Sequence, residues 1–159
     1  LFAYTGGASM ACANAGAKVT HVDAAKSVNS WAKANADRSG IAAGGIRYLA
    51  DDVVKFVKRE LRRNKRYDGI ILDPPTFGRG SKGEVWKIER DLHTLLELCR
   101  SLLCAKPLFF LLTSHSPGIT PSVLRTMMLD MGSEIESGEM LLQGEGRALP
   151  SGAYARWAP

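Results

Sequence analysis

Cysteine is scarce in this 159-residue chain: Cys12, Cys99 and Cys104 are all it has. An odd, sparse set without paired metal-ligand spacing argues against both a disulfide framework and a zinc ribbon, and predicts no metal site. It fits a reduced, cytoplasmic setting. Long apolar runs are missing too. The longest candidate, Pro107–Thr113, falls far short of the ~20 residues that span a bilayer, so no membrane association is expected. No Lys/Arg-led leader segment opens the sequence, so secretion is not expected either. The turn after the first apolar run lacks the G-x-G-x-x-G spacing that seats a dinucleotide pyrophosphate on a helix start, which disfavours a nicotinamide cofactor. There is no internal repeat, low-complexity tract or linker.

What is present describes one folded domain. Hydrophobic residues make up 45% and charged residues 23% of the chain, a balance far from that of a disordered polyelectrolyte. Twenty-one Lys and Arg against sixteen Asp and Glu leave a net charge of +5, compatible with a polyanionic partner. The sequence opens at Leu1, inside the apolar run Leu1-Phe2-Ala3-Tyr4. We expect residues 1–159 to be a single catalytic domain entered in mid-strand, with sequence upstream.

Apolar and amphipathic segments alternate along the chain. Leu1–Tyr4 reads as the tail of a strand, followed by a helix over Ser9–Ala15 closed by Gly16. Val19–Val22 is a β-branched strand ending at Asp23, and Ala24–Ala36 a helix. Ile46–Leu49 is a strand ending at Asp51-Asp52, and Val53–Arg63 an amphipathic helix. Ile70–Leu72 reads as a doubly buried strand stopped by Asp73-Pro74-Pro75. A Gly/Lys-rich loop, a helix over Asp91–Cys104, a strand over Leu108–Leu112 and a helix over Ser122–Met131 follow. Glu139–Leu142 and Gly152–Trp157 close the sequence as a hairpin. The alternation predicts an α/β fold: a Rossmann-like, doubly wound, mostly parallel sheet with an antiparallel C-terminal hairpin.

In open α/β sheets ligands bind beyond the carboxyl ends of the strands. That rule selects the turn Thr5-Gly6-Gly7-Ala8-Ser9, Asp23, Asp51-Asp52 and Asp73-Pro74-Pro75. Two glycines in the turn permit close backbone approach by a ligand. Asp23 can accept both hydroxyls of a ribose, or else cap the next helix. Asp52 could receive the exocyclic amine of an adenine, with Asp51 as the alternative helix cap. The two prolines end their strand abruptly and stiffen the backbone around Asp73, an arrangement suited to holding a planar amine, and Phe77 can stack on a base.

These segments together resemble class I S-adenosylmethionine-dependent methyltransferases. The motifs are Leu1–Ser9, His21-Val22-Asp23, Asp52-Val53 and Asp73-Pro74-Pro75-Thr76-Phe77. The resemblance extends over nearly the whole chain and is strongest to the ribosomal RNA large-subunit methyltransferases of the cytosine-C5 type and their relatives. It implies S-adenosylmethionine as cofactor and RNA as substrate. It also implies that Phe2, Tyr4, Thr5, Gly6 and Gly7 contact the methionine moiety, Asp23 the ribose and Asp52 the adenine. Asp73 and Pro74 would then face the methyl group and the target, with Pro75 and Phe77 completing the catalytic motif.

The sequence departs from the cytosine-C5 pattern where the chemistry is most demanding. Cytosine C5 becomes nucleophilic only after a thiolate adds at C6. Those enzymes place the cysteine just after the fifth strand, where this chain has Thr113-Ser114-His115-Ser116. Cys99 and Cys104 read as core packing at the opposite end of the sheet. Transfer to a base nitrogen needs alignment, an acceptor for the amine and relief of a proton. Asp73 can hold the amine, and His115 is either a proton acceptor or a surface-loop histidine. Arg79, Lys82 and Lys87 follow Pro75 and could clamp an RNA backbone. The seven cations of residues 55–66 read as a solvated helix end or as a distal RNA contact. The rivals to an RNA methyltransferase are a small-molecule methyltransferase and a catalytically silent RNA-binding module of the same fold.

Overall fold

The computed structural model describes residues 1–80 and 83–159. Two parallel strand pairs form its centre. β1 (Val19–Asp23) pairs with β2 (Ile46–Ala50), Asp23 lying opposite Ala50. β3 (Gly69–Leu72) pairs with β6 (Phe109–Ser114), Leu72 opposite Leu112. The leading residues join the pairs: the Ala3 N–H donates to the Val22 carbonyl at 3.1 Å, and the Leu1 amino group donates to the Ile71 carbonyl at 2.8 Å. Leu1–Ala3 thus bridges β1 and β3, but the strand tail expected over Leu1–Tyr4 does not form: Phe2 and Tyr4 have left-handed φ, which breaks the extended backbone, and Tyr4 lies in a turn. On the far side β8 (Ala148–Trp157) runs antiparallel between β6 and β7 (Ile135–Gln143).

Helices fill the connections. α1 (Gly7–Asn14) and α2 (Lys26–Arg38) flank β1, and α3 (Val53–Arg62) carries the chain from β2 to β3. α4 (Ile88–Leu102) precedes β6, and α5 (Pro121–Met127) with a 3-10 turn precedes β7. In α4, Leu92, Leu95, Leu96, Cys99 and Leu102 recur at helical spacing and are all buried. They cover the sheet with Phe56 and Val57 of α3 and Leu124 and Met128 around α5. This is the mostly parallel α/β sheet with an antiparallel C-terminal pair that the alternation predicted.

Two further details differ from expectation. The segment after Pro75 is not simply a loop: β4 (Phe77–Arg79) and β5 (Val85–Lys87) pair as a short antiparallel hairpin. Trp86 anchors it, donating its indole N–H to the Pro75 carbonyl at 2.7 Å and packing 5.2 Å from the Phe2 ring. Three-residue strands carry too little periodicity to be read from sequence. The C-terminal strands also run longer than their apolar stretches, with an irregularity between Met140 and Leu141, because exposed residues extend the pair beyond the core. Among the described residues no helix is long and apolar enough to cross a membrane.

Candidate active site

The carboxylates selected from the sequence lie at or just past the carboxyl ends of parallel strands. Asp23 is the last residue of β1, Asp52 follows β2 and Asp73 follows β3. They line one cleft of about 740 Å³, a volume in the range of cofactor sites. Phe2 and Tyr4 line it from the leading segment, and Pro74, Pro75, Arg79 and His115 from the other side.

The leading segment is built as a strained turn. Phe2 (φ 53°) and Tyr4 (φ 46°) both sit in the left-handed region that aromatic residues rarely adopt. Asp23 holds the turn in place. One carboxylate oxygen accepts the Tyr4 N–H and the other accepts the Ala25 N–H, both at 3.0 Å. Each oxygen keeps a lone pair, so the carboxylate remains able to accept hydroxyl donors. Gly6 completes the turn with φ 90°; a Cβ there would stand 3.2 Å from the Ala32 Cβ. Behind it His21 is buried and shares a 3.0 Å hydrogen bond with Ser9 of α1. Burial holds its pKa below the ordinary histidine value.

Asp52 settles the choice left open between the two neighbouring aspartates. Its Oδ1 accepts the Lys55 N–H at 2.8 Å, so Asp52 is the cap of α3 and still lines the cleft. Asp51 instead pairs with Arg59. The basic stretch is partly consumed in such pairs. Arg63 lies 3.6 Å from the buried Glu60, and Lys55 pairs with Glu84 of the hairpin, the hydrogen bond to Glu84 raising the lysine pKa.

Around Asp73 the site draws on β6 and β8. The Thr113 hydroxyl donates to Asp73 Oδ1 at 2.6 Å, and His115 Nε2 stands 3.7 Å from the same oxygen. The His115 Nδ1 meets the Ser151 carbonyl of β8. Thr76 and Ser116 hydroxyls join at 2.7 Å, tying the Pro75–Phe77 turn to the segment after β6. Thr113, Trp86, Ser116 and Ser151 were not singled out as site residues. Only the position of Thr113 and Ser116 directly around the carboxyl end of a buried strand could have flagged them; Trp86 and Ser151 arrive through pairings invisible in the sequence.

Other expected site residues stand back from the cleft surface. Thr5 offers its backbone carbonyl to Asn35, at 3.1 Å, and Gly7 begins α1 without a special φ. Phe77 is half exposed on β4 with the Arg79 guanidinium 5.9 Å from its ring centre. Lys87 is exposed at the end of β5, and Lys82 lies outside the described residues. Among the described residues no cysteine lines the cleft. Cys99 is fully buried on the inner face of α4 with its thiol pushed up to about 12 by desolvation, and Cys104 donates to Asp68 before β3, at the other end of the sheet. Among the described residues no cluster of three or more His, Cys, Asp or Glu side chains could hold a metal ion.

The family model of the S-adenosylmethionine-dependent methyltransferases matches residues 1–131. The chain belongs to this family. A solved S-adenosylmethionine-dependent methyltransferase from Agrobacterium tumefaciens superimposes with a TM-score of 0.92 at 40% identity, covering 100% of this chain and 54% of that one. Ribosomal RNA large subunit methyltransferase K/L of Shewanella frigidimarina is 36% identical over 98 residues, which are 60% of this chain and 14% of the relative. Ribosomal RNA large subunit methyltransferase I of Aeromonas salmonicida is 28% identical over 165 residues, 98% of this chain and 41% of the relative. The chain therefore spans less than half the length of these two relatives. The cofactor of the family is S-adenosylmethionine, and the cleft fits it. It has the volume, an aspartate with spare acceptor capacity after β1 and another after β2, and apolar walls from Phe2, Val53 and Pro74.

Proposed function

We propose that this chain is the catalytic domain of an RNA methyltransferase that transfers a methyl group to a base nitrogen, with ribosomal RNA as the substrate and the cytoplasm as its compartment. The observation that carries the reading is the setting of Asp73. Its carboxylate lies in the cofactor-sized cleft, oriented by the Thr113 hydroxyl and backed by the rigid Pro74-Pro75 pair, while among the described residues no thiol lines that cleft. A carboxylate so placed can accept the N–H of an exocyclic amine and leave the nitrogen lone pair directed at the methyl donor.

In this reading Asp23 receives the ribose hydroxyls and Asp52 the adenine amine, and Phe2 and Tyr4 shape the methionine end, with the Thr5-Gly6-Gly7 turn supporting them from behind. Pro74 and Pro75 form the wall beside the target. Phe77, half exposed beside Arg79, is available for stacking on an unpaired base. Arg79, Lys82 and Lys87 supply phosphate contacts. The resemblance to ribosomal RNA large subunit methyltransferases supports RNA over a small molecule.

The test has two stages. Titration should show saturable binding of S-adenosylmethionine, with no competition by NADH. Labelled methyl groups should then enter ribosomal RNA, and nucleoside mass spectrometry should find an N-methylated base. Label entering only small metabolites would favour the small-molecule rival. Cofactor binding without any transfer would favour a silent module, and 5-methylcytidine would restore the cytosine-C5 reading.

A further inference from the structure

We infer that His115 is the proton acceptor of the transfer proposed above, an inference that rests on that reading and adds a catalytic residue to it. Sequence left this side chain between a catalytic and a surface role. The structure holds it from two strands. On one side it directly follows β6, whose Thr113 grips Asp73. On the other, its Nδ1 meets the backbone carbonyl of Ser151, thirty-six residues away on β8. The contact depends on the next residue. Gly152 has φ 143°, and a Cβ there would stand 2.6 Å from the Ser114 carbonyl and 3.0 Å from His115 Nδ1. A glycine at this point lets β8 approach closely enough to grip the ring.

The grip determines the tautomer. A carbonyl oxygen only accepts, so Nδ1 carries the proton and the neutral ring keeps its lone pair on Nε2. That atom points into the cleft, 3.7 Å from Asp73 Oδ1 and beyond direct hydrogen-bond reach. A neutral base thus stands next to the carboxylate that would hold the substrate amine. One of the Asp73 oxygens already accepts the Thr113 hydroxyl.

The amine nitrogen's lone pair forms the bond to the methyl carbon as the carbon–sulfur bond breaks. Its electron pair stays on sulfur, and S-adenosylhomocysteine is the leaving product. The methylated nitrogen then bears an excess proton, which passes to His115 Nε2. The resulting imidazolium donates toward the Ser151 carbonyl and faces the Asp73 carboxylate, so both sides of the ring stabilise its charge. Asp73 is the charged group that faces the ring, 3.7 Å from Nε2. Arg79 on the hairpin and Asp23 and Asp52 share the same cleft, and β8 faces the ring with an uncharged carbonyl and a glycine.

Two measurements on the full chain test this separately from the function itself. Nitrogen-15 NMR of the histidine rings, without cofactor or substrate, should find the neutral His115 ring protonated at Nδ1 and bare at Nε2. A neutral ring protonated at Nε2 would overturn the inference whether or not any RNA is methylated. In kinetics on unmodified ribosomal RNA, His115→Gln should lower kcat about 100-fold, the lower end of general-base effects, with KM and cofactor affinity little changed. The pH–rate profile of the variant should differ from that of the unaltered chain, and added imidazole should partly rescue His115→Gly. An unchanged rate and pH profile in His115→Gln would remove His115 from the chemistry while leaving the methyltransferase reading intact. Identification of the product as a C-methylated base would overturn both.

Discussion

Asp23 concentrates several jobs in one carboxylate. Both oxygens accept backbone N–H groups, from Tyr4 in the strained turn and from Ala25 at the start of α2, while the same group lines the cleft. The sequence offered ribose contact and helix entry as alternatives; the geometry allows one side chain to serve both. Replacing Asp23 with Ala should weaken S-adenosylmethionine binding by ~1.5–3 kcal/mol, the scale of a hydrogen bond to a charged group. Asparagine should not rescue it, because its amide would set an N–H donor against one of the two backbone donors. Isothermal titration calorimetry of the three proteins decides the point, and full affinity in Asp23→Ala would remove the ribose assignment. At this scale the residue types were legible because strand-terminal carboxylates are conspicuous. The left-handed φ of Phe2 and Tyr4 was not, since nothing about an aromatic side chain announces a conformation it normally avoids.

Elements were legible where their hydrophobic period ran long, as in α3 and α4, and illegible where it was short, as in the β4–β5 hairpin. The hairpin nevertheless shapes the cleft wall. Trp86 is the link: it is buried, touches Phe2 and fixes the Pro75 carbonyl. Trp86→Phe should keep the packing and lose roughly 1 kcal/mol with the hydrogen bond. Trp86→Ala should cost about 3–5 kcal/mol and also weaken cofactor binding, because Phe2 loses its support. Urea unfolding beside calorimetry would show both; equal stability of the alanine variant would contradict the linkage. The joint between α1 and β1 carries a pH dependence. Burial depresses the pKa of His21 in the folded chain, so the folded state prefers the neutral ring. The stability from this preference is present above the unfolded value of about 6.5 and is lost as pH falls below it toward the folded pKa. Denaturation midpoints should therefore drop between pH 7.5 and 5 by more in the unaltered chain than in His21→Gln. Parallel curves would show that His21 does not titrate with folding.

Across the whole molecule, the cleft and the sulfurs occupy different places. Asp23 and Asp73 stand at the carboxyl ends of β1 and β3, whereas Cys104 bonds Asp68 just before β3 begins. Cys99 is buried beneath the sheet's α4 cover, where desolvation suppresses the thiolate that attack on a pyrimidine C6 requires. Cys12 is half buried in α1, more than a turn beyond Gly6. Bringing Cys99 or Cys104 to the target would mean dismantling α4 or reversing β3, and a domain is held together by only ~5–15 kcal/mol. Ser114 and Ser116 are no substitute. Both are buried, Ser116 is bonded to Thr76, and a hydroxyl is barely ionised near neutral pH without a dedicated base. RNA carrying 5-fluorocytidine should accordingly leave no denaturation-resistant complex with this chain, and Asp73→Ala should lose methyl transfer while largely keeping cofactor affinity. The first is read on a denaturing gel with labelled RNA, the second by calorimetry beside turnover. A trapped adduct mapped by mass spectrometry to Cys12, Cys99 or Cys104 would mean that the fold rearranges around its substrate and that the target atom is carbon.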